Sequence, residues 1–306
     1  MKFTIIILTH NAGTGFPPLL KLIAPQVAIP NRLIVVDTSS IDDTVEQAKA
    51  MGIEVVALPA SDFNHGATRE MARRLTDAEI VIFMTQDAIP CNNNLIEKLL
   101  EPLLNGTASF SYARQVPRSN AGIFEAFPRQ YNYPEKSNVR SIKDVEKYGV
   151  YTFFCSDSCA AYLNSALDEI GGFQPTLTNE DYFATARLLQ KGHTIAYVAD
   201  AEVEHSHTYN LRQEFRRYFD TGYVRAENSW IQEVAGQAEG RGKEYFVALT
   251  RYLLTSAPWL IPYAVVNTSI KLLGYRVGFW SRNAPTWWKK LLSSQKYYWK
   301  SRHYKC

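Results

Sequence analysis

In the first half of the chain, apolar residues come in short unbroken runs rather than in alternation. "KFTIIIL", "RLIVVD", "IEVVAL" and "AEIVIFM" are each bounded by polar or turn-forming residues. A run of that length, rich in Ile and Val, is the pattern of a strand covered on both faces. Between the runs lie helical stretches. "DDTVEQAKAMG" opens with acids in its first turn and stops at Gly52, the residue type that follows helices. Strand and helix taking turns predict an α/β fold, a mostly parallel sheet covered by helices. In such sheets ligands bind beyond the carboxyl ends of the strands. Four successive strand ends carry polar clusters there: "THNAGTG", "DTSSIDDT", "SDFNHGATRE" and "TQDAIP".

The pattern then loosens. "ARQVPRSNAGIFEAFPRQYNYPEKSNVRSIKDVEKYG" is rich in Pro, Arg and aromatic residues without a period. It reads as a long excursion, and such segments in compact domains are usually functional or mobile. "TFFCSDSCAAYL" reads as a returning strand. "NEDYFATARLLQKG" reads as a helix with Asn179 near its cap and Gly192 as its stop. "HTIAYVADAEVEHSH" is a strand leading into His205 and His207, and from Leu211 onward the pattern is helical. No further strand is expected beyond that point.

Composition changes this picture mainly at the C-terminal end. Net charge is +3, yet Lys271 to Cys306 holds nine Lys or Arg and no acid, so the remainder carries −6. Trp280, Trp287, Trp288 and Trp299 are interleaved with those charges, as are Tyr275, Tyr297, Tyr298 and Tyr304. Basic residues among amphipathic aromatics suit a surface of anionic headgroups. Nucleic acid is the competing partner for such a tail, but the acidic main domain shows no basic stripe. A basic appendage packed on the main domain is the plain alternative. Tyr252 to Ile270 carries no charge and nearly reaches the ~20 residues of a membrane span. Pro258, Pro262, Asn267, Thr268 and Ser269 interrupt it, which favours a membrane-surface or core helical segment over a transmembrane one. Nothing at the start reads as a signal peptide. Cys91, Cys155, Cys159 and Cys306 have neither zinc-site nor disulfide-framework spacing, which fits a reducing cytoplasm.

The clusters bear chemistry. "SDFNHGATRE" places Asn64, His65, Gly66 and Arg69 at a helix start, where unpaired amides and partial positive charge bind phosphate. Gly66 would admit a ligand close to the backbone, and Arg69 suits a bidentate phosphate contact. The same residues equally make an ordinary cap with a surface arginine. "GTG" at 13–15 runs into "FPPLL" and lacks the third glycine of a dinucleotide loop. Asp37, at the tip of the second strand, can accept from a ribose hydroxyl or a base imide. Asp87 is a carboxylate of the kind that holds Mg2+ together with substrate phosphates. His205 and His207 alternate along a strand and would point to one side. Glu180 and Asp181 are adjacent acids in a first helical turn, there either to complement the helix dipole or to act as a general base.

Taken in order, "THN", "VVD", "FNHGATRE", "TQDA", "NED" and "EHSH" resemble the family-two glycosyltransferases, whose nucleotide-diphospho-sugar-binding fold is called GT-A. The resemblance covers about residues 1–215, and it implies a domain over that range and a helical region over 216–306. "FNHGATR" and "HSHTYNLRQEFRRYFDTG" are similar to the bacterial rhamnosyltransferases that use dTDP-L-rhamnose. What the resemblance implies is a GT-A fold with a C-terminal helical extension and an inverting transfer by single displacement. Thr9 and Asn11 would line the nucleoside pocket, and Asp37 would bond the thymine imide. His65, Gly66, Arg69 and Gln86 would complete the donor site, although Gln86 stands where many relatives have another acid. Asp87 would bind Mg2+ or Mn2+, with His205 or His207 as a further contact, and Asp181, beside Glu180, would be the catalytic base. The implied acceptor is a lipid-linked saccharide of O-antigen or exopolysaccharide synthesis. The tail would then hold the enzyme peripherally on the inner face of the cytoplasmic membrane. Two other readings keep much of this pattern: a transferase using a UDP-hexose, and an inactive module that binds a sugar nucleotide or a membrane.

Overall fold

The four apolar runs become β1 (Phe3–Thr9), β2 (Arg32–Asp37), β3 (Glu54–Ala57) and β4 (Ile80–Thr85) in the computed structural model of the protein. The structure describes residues 1–28, 30–235 and 239–304. Cys306 lies outside these, and Cys91, Cys155 and Cys159 are free thiols. Helices α1 (Phe16–Ile23), α2 (Thr44–Ala50) and α3 (His65–Arg73) connect the strands. β1 pairs in parallel with β2 and β4, and β2 with β3. The chain continues through β5 (Ile89–Pro90), α4 (Leu95–Leu104), β6 (Phe110–Val116), α5 (Ile123–Asn132), β7 (Asn138–Arg140) and a short α6 (Val145–Tyr148). It then forms β8 (Cys159–Leu163), α7 (Asn164–Glu169), α8 (Glu180–Gln190) and β9 (Ile195–Glu204).

Strand order is β3-β2-β1-β4-β8-β6-β9-β5, with β7 also paired to β9. Among the first four strands every pairing is parallel. β8 slots between β4 and β6 antiparallel to both, while β6 and β9 are parallel. The core explains the solid runs. Ile5, Ile7, Val35, Ile82 and Met84 pack with Leu19, Leu20 and Ile23 of α1 and Leu95, Leu99 and Leu103 of α4. Each such side chain contributes about 1.5–3 kcal/mol on burial.

Two local departures position chemistry. "TFFCSDSCAAYL" is a strand only from Cys159, and its polar Ser156-Asp157-Ser158 triplet stays outside the ladder. Between β6 and β9 the register jumps from Ala113↔Val198 to Arg114↔Glu202, leaving residues 199–201 without a counterpart. Such a bulge bends a strand and re-aims the side chains beyond it. It brings Gln115 opposite Val203 and Val116 opposite Glu204.

The chain divides into two compact units. One takes residues 1–143, 153–175 and 180–206, and with them every strand; the other takes 144–152, 176–179 and 207–306. The second unit contains α9 (Leu211–Glu227), α10 (Trp230–Ala235), α11 (Glu239–Ser256), α12 (Ile261–Trp280) and α13 (Thr286–Leu292). Asn210 and Gln213 close a capping box at the start of α9. Glycine seams let α9 and α12 touch backbone to backbone. A Cβ on Gly278 would lie 2.0 Å from the Phe219 carbonyl oxygen, and one on Gly222 would lie 2.0 Å from that of Tyr275. Glu214 and Lys271 form a 3.1 Å ion pair between the same helices. The charge-free segment is broken at Ala257–Leu260 between α11 and α12. Among the described residues no helix is long and apolar enough to cross a membrane.

Candidate active site

The ends of β1 and β2 are tied together by Asp37. Thr9 and Asp37 are register partners, and the Thr9 hydroxyl donates to Asp37 Oδ1 at 2.8 Å. The Ser40 hydroxyl donates to the same oxygen at 2.6 Å, and the Ser40 N–H donates to Oδ2 at 2.9 Å. Both Thr9 and Asp37 are buried, so this network shapes the loops from within. Asn11, on the exposed rim, accepts the Ile41 N–H, and its own N–H donates to Ser40 Oγ. Asn11 and Ser39 hold left-handed backbones, φ +49° and +52°, the kind of local strain that concentrates at functional loops. Gln86 grips the peptide unit of His10 on both sides. Its carbonyl accepts the His10 N–H at 2.7 Å and its amide donates to the His10 C=O at 3.2 Å. A carboxylate could accept there but not donate.

The helix start that sequence reading assigns to phosphate is turned inward. Asn64 caps α3 by accepting the N–H groups of Gly66 and Ala67, each at 3.1 Å. A Cβ on Gly66 would lie 2.0 Å from the Gln174 carbonyl oxygen, so the close approach that this glycine permits is made by the chain itself. Arg69 is only 3% exposed. Its Nε faces Asp157 Oδ2 at 2.9 Å, off the hydrogen-bonding axis, and its Nη1 lies 2.8 Å from Glu180 Oε1. The guanidinium also sits 5.8 Å over the Phe83 ring. Arg69 is thus engaged by carboxylates and an aromatic face rather than left on the surface as in an ordinary cap. Burial lowers the His65 pKa, with Arg69 adding to this and Glu180 opposing it.

Asp181, half-buried in the first turn of α8, is held by two backbone donors. The Tyr182 N–H reaches Oδ1 at 2.7 Å and the Asp157 N–H reaches Oδ2 at 3.3 Å. Burial raises its pKa well above the ordinary aspartate value, and the charges of Glu180 and Asp157 push the same way. For Glu180 burial also opposes ionisation, but Arg69 and His65 outweigh it and hold the carboxyl below its usual value. Burial raises Asp157, only partly offset by Arg69, and the Tyr162 hydroxyl donates to it at 2.6 Å. A partly exposed carboxylate of raised pKa, anchored by a buried charge cluster, has the character of a general base.

Beyond β4, Asp87 Oδ1 lies 3.4 Å from Nε2 of His205, the residue that follows β9. His207, two residues further along, belongs to the second unit. One carboxylate with an imidazole nitrogen suits a divalent cation. Two residues of this region escape sequence reading. Asp157 signals itself only as an acid flanked by serines inside an apolar run. His10, whose Nδ1–H donates to the Thr38 carbonyl at 2.6 Å, sits in "THN" without a distinguishing neighbour.

Residues 4–171 match the profile of glycosyl transferase family 2. The chain is 40% identical to the O-antigen chain rhamnosyltransferase RfbN of Salmonella typhimurium over 99% of its length and 98% of that protein. It is 38% identical to the O-antigen chain rhamnosyltransferase WbaN of Salmonella anatum, over 99% of this chain and 97% of that one. The structure is similar to the mannosyltransferase PcManGT from Pyrobaculum calidifontis, solved with GDP-Man and Mn2+. That match has a TM-score of 0.61 at 15% identity, covers 92% and 87% of the two chains, and speaks to the fold alone.

Proposed function

The chain belongs to glycosyl transferase family 2, and from that premise we propose that it transfers L-rhamnose from dTDP-β-L-rhamnose, with inversion, to a hydroxyl of a lipid-linked saccharide in O-antigen synthesis. One observation carries this reading. A chain that shares about two fifths of its residues with O-antigen rhamnosyltransferases along nearly its whole length holds Asp181 as a carboxylate of raised pKa.

The acceptor oxygen attacks the anomeric carbon of the sugar. Its bond to carbon forms as the bond from carbon to the phosphate oxygen breaks, and that electron pair leaves with dTDP. The acceptor's proton goes to Asp181. Backbone donors on both oxygens aim the carboxylate, while Arg69 neutralises Glu180 and Asp157 behind it. Asp87 and His205 would hold a divalent cation, and imidazole ligation favours Mn2+ over the harder Mg2+. Such a cation, when bound, supplies positive charge against the donor diphosphate. Asn11, His10 and Gln86 at the ends of β1 and β4 would meet the nucleoside, with Thr9 and Asp37 bracing them from below. Calorimetric titration tests the donor: dTDP binding more tightly than UDP supports the assignment, and UDP binding equally or more tightly refutes it.

The division of labour that fits this reading gives catalysis to 1–215 and attachment to 216–306. In the second unit Trp259, Trp280 and Trp287 are 74%, 73% and 66% exposed, beside the acid-free run from Lys271. Indoles presented among cations favour a peripheral seat on the anionic inner leaflet, where a lipid-linked acceptor lies. Truncation after Lys271 would cut α12 and its seam with α9, so substitution is the cleaner test. Replacing the three exposed tryptophans by serine should abolish flotation with anionic vesicles, and unchanged flotation would remove this part of the reading.

A further inference from the structure

We propose that Gln115 is a positioning residue: it decides which nitrogen of His205 carries the proton, and thereby turns an unprotonated Nε2 toward Asp87 as a ligand for a divalent cation. The proposal rests on the reading of Asp87 and His205 as cation ligands and goes one step behind it.

Gln115 sits near the end of β6, 3% exposed, between the segment that leads into β8 and the end of β9. Its side-chain amide nitrogen donates to Ser156 Oγ at 2.8 Å and to Ser158 Oγ at 2.6 Å. That uses both amide protons and leaves the amide oxygen, Oε1, 3.1 Å from His205 Nδ1. An amide oxygen accepts and cannot donate, so in the neutral imidazole Nδ1 holds the proton and Nε2 keeps its lone pair. Nε2 is the atom 3.4 Å from the Asp87 carboxylate. Two electron-rich atoms facing each other at that distance make a seat for a cation.

The backbone of His205 is pinned on both sides. Its N–H donates to the Val116 carbonyl at 3.0 Å, and its C=O accepts from Arg129 Nε at 2.8 Å. What remains to be set is the ring and its tautomer, and the strand register beyond the β9 bulge brings Gln115 to that task. Turned by half a revolution, the amide would accept from both serines and donate to Nδ1. The proton would then sit on Nε2, facing Asp87, and the pair could not ligate. One amide orientation thus separates a cation site from a plain histidine–carboxylate contact. Partners of this kind, behind a metal-binding histidine, typically change metal affinity about 10–100-fold.

The test uses the full-length chain and Mn2+ alone, followed by the loss of the free-ion EPR signal, with circular dichroism to verify folding. Gln115→Leu should weaken Mn2+ binding about 10–100-fold. Gln115→Glu should stay within a few-fold of wild type, because a carboxylate only accepts and still fixes the Nδ1–H form. A folded Gln115→Leu that binds as wild type does, or a folded Gln115→Glu as weak as Gln115→Leu, overturns the proposal. His205→Ala separates the two levels: if it binds Mn2+ like wild type, the cation reading itself fails. A readout that needs neither metal nor variant is the long-range 1H–15N correlation of His205. It should show the Nδ1–H tautomer in the metal-free protein, and the Nε2–H tautomer would overturn the proposal.

Discussion

Replacing Arg69 by methionine distinguishes an internal clamp from a phosphate ligand. Methionine keeps most of the apolar stem but removes the guanidinium that sits over Phe83 and between Asp157 and Glu180, whose side chains are only 2% and 8% exposed. Breaking a buried pair by removing one partner costs about 3–5 kcal/mol, because the remaining charge is left uncompensated. At about 1.4 kcal/mol per decade, that lowers the folded-to-unfolded ratio by roughly two to three and a half orders of magnitude. The pH dependence has a definite sign. With Arg69 present, Glu180 is held below its ordinary value of 4.5, so its contribution is present above that pH and fades as pH falls through the lowered value. Without Arg69, burial dominates and raises the carboxyl, so the variant's penalty is smallest in acid and grows as pH rises. The difference between wild type and variant should therefore widen as pH rises above the ordinary glutamate value. All six tryptophans lie at 230–299, beyond the sheet-bearing unit, so their fluorescence reports the wrong region. Hydrogen exchange of peptides from β4 and β8 is the suitable assay. Adding Glu180→Gln to Arg69→Met should restore part of the lost protection. A variant with wild-type protection at neutral pH and weakened dTDP binding would refute the clamp and return Arg69 to the diphosphate.

Asp181→Asn should lower transfer by about 10²–10⁴-fold with dTDP affinity unchanged. Because burial and its acidic neighbours raise Asp181, the acid limb of kcat/KM should lie above the ordinary aspartate range, and Glu180→Gln should move it to lower pH; a limb at the ordinary value would contradict the cluster electrostatics. Gly66→Ala brings a Cβ within 2.0 Å of the Gln174 carbonyl and should cost about 1–3 kcal/mol, seen as faster exchange in α3 and 172–175; unaltered exchange would show that the close approach is not needed. Gly278→Val meets the Phe219 carbonyl and should lower the unfolding midpoint followed by tryptophan fluorescence, while an unchanged midpoint would deny the α9–α12 seam its role.

β1, β2 and β4 are legible because their apolar runs are mostly buried, whereas β3 stands at the sheet edge with Glu54 and Ala57 exposed and is legible from its Val-Val pair and spacing alone. β6 is not legible: "FSYARQV" mixes Ser, Arg and Gln into a mostly buried strand, and those polar residues find partners only in tertiary structure, Ser111 on the Leu99 carbonyl of α4 and Gln115 on Ser156 and Ser158. β8 begins later than the apolar run suggests, because in "CSDSC" the hydroxyls meet Gln115, the acid meets Arg69 and the Asp157 N–H donates to Asp181 instead of joining a ladder. The polar clusters at the strand ends announced a site, but not the work done by each member. Asn64, Gly66 and Arg69 have the chemistry of an anion cradle, and only tertiary structure reveals that Gln174, Asp157 and Glu180 fill it. The pairing of Asp87 with His205 is available to sequence only through the family resemblance, because the register shift between β6 and β9 leaves no mark in hydropathy. The glycines of α9 and α12 are equally silent in sequence, since a close helix contact needs both partners in view.

The most direct test follows dTDP release from dTDP-β-L-rhamnose by the purified protein supplied with an O-antigen lipid-linked acceptor, comparing wild type with Asp181→Asn and reading the product's anomeric configuration by NMR. The account predicts acceptor-dependent release, inverted rhamnose on the product, and near-complete loss in the variant. Retained configuration, or an Asp181→Asn variant as fast as wild type, would contradict it.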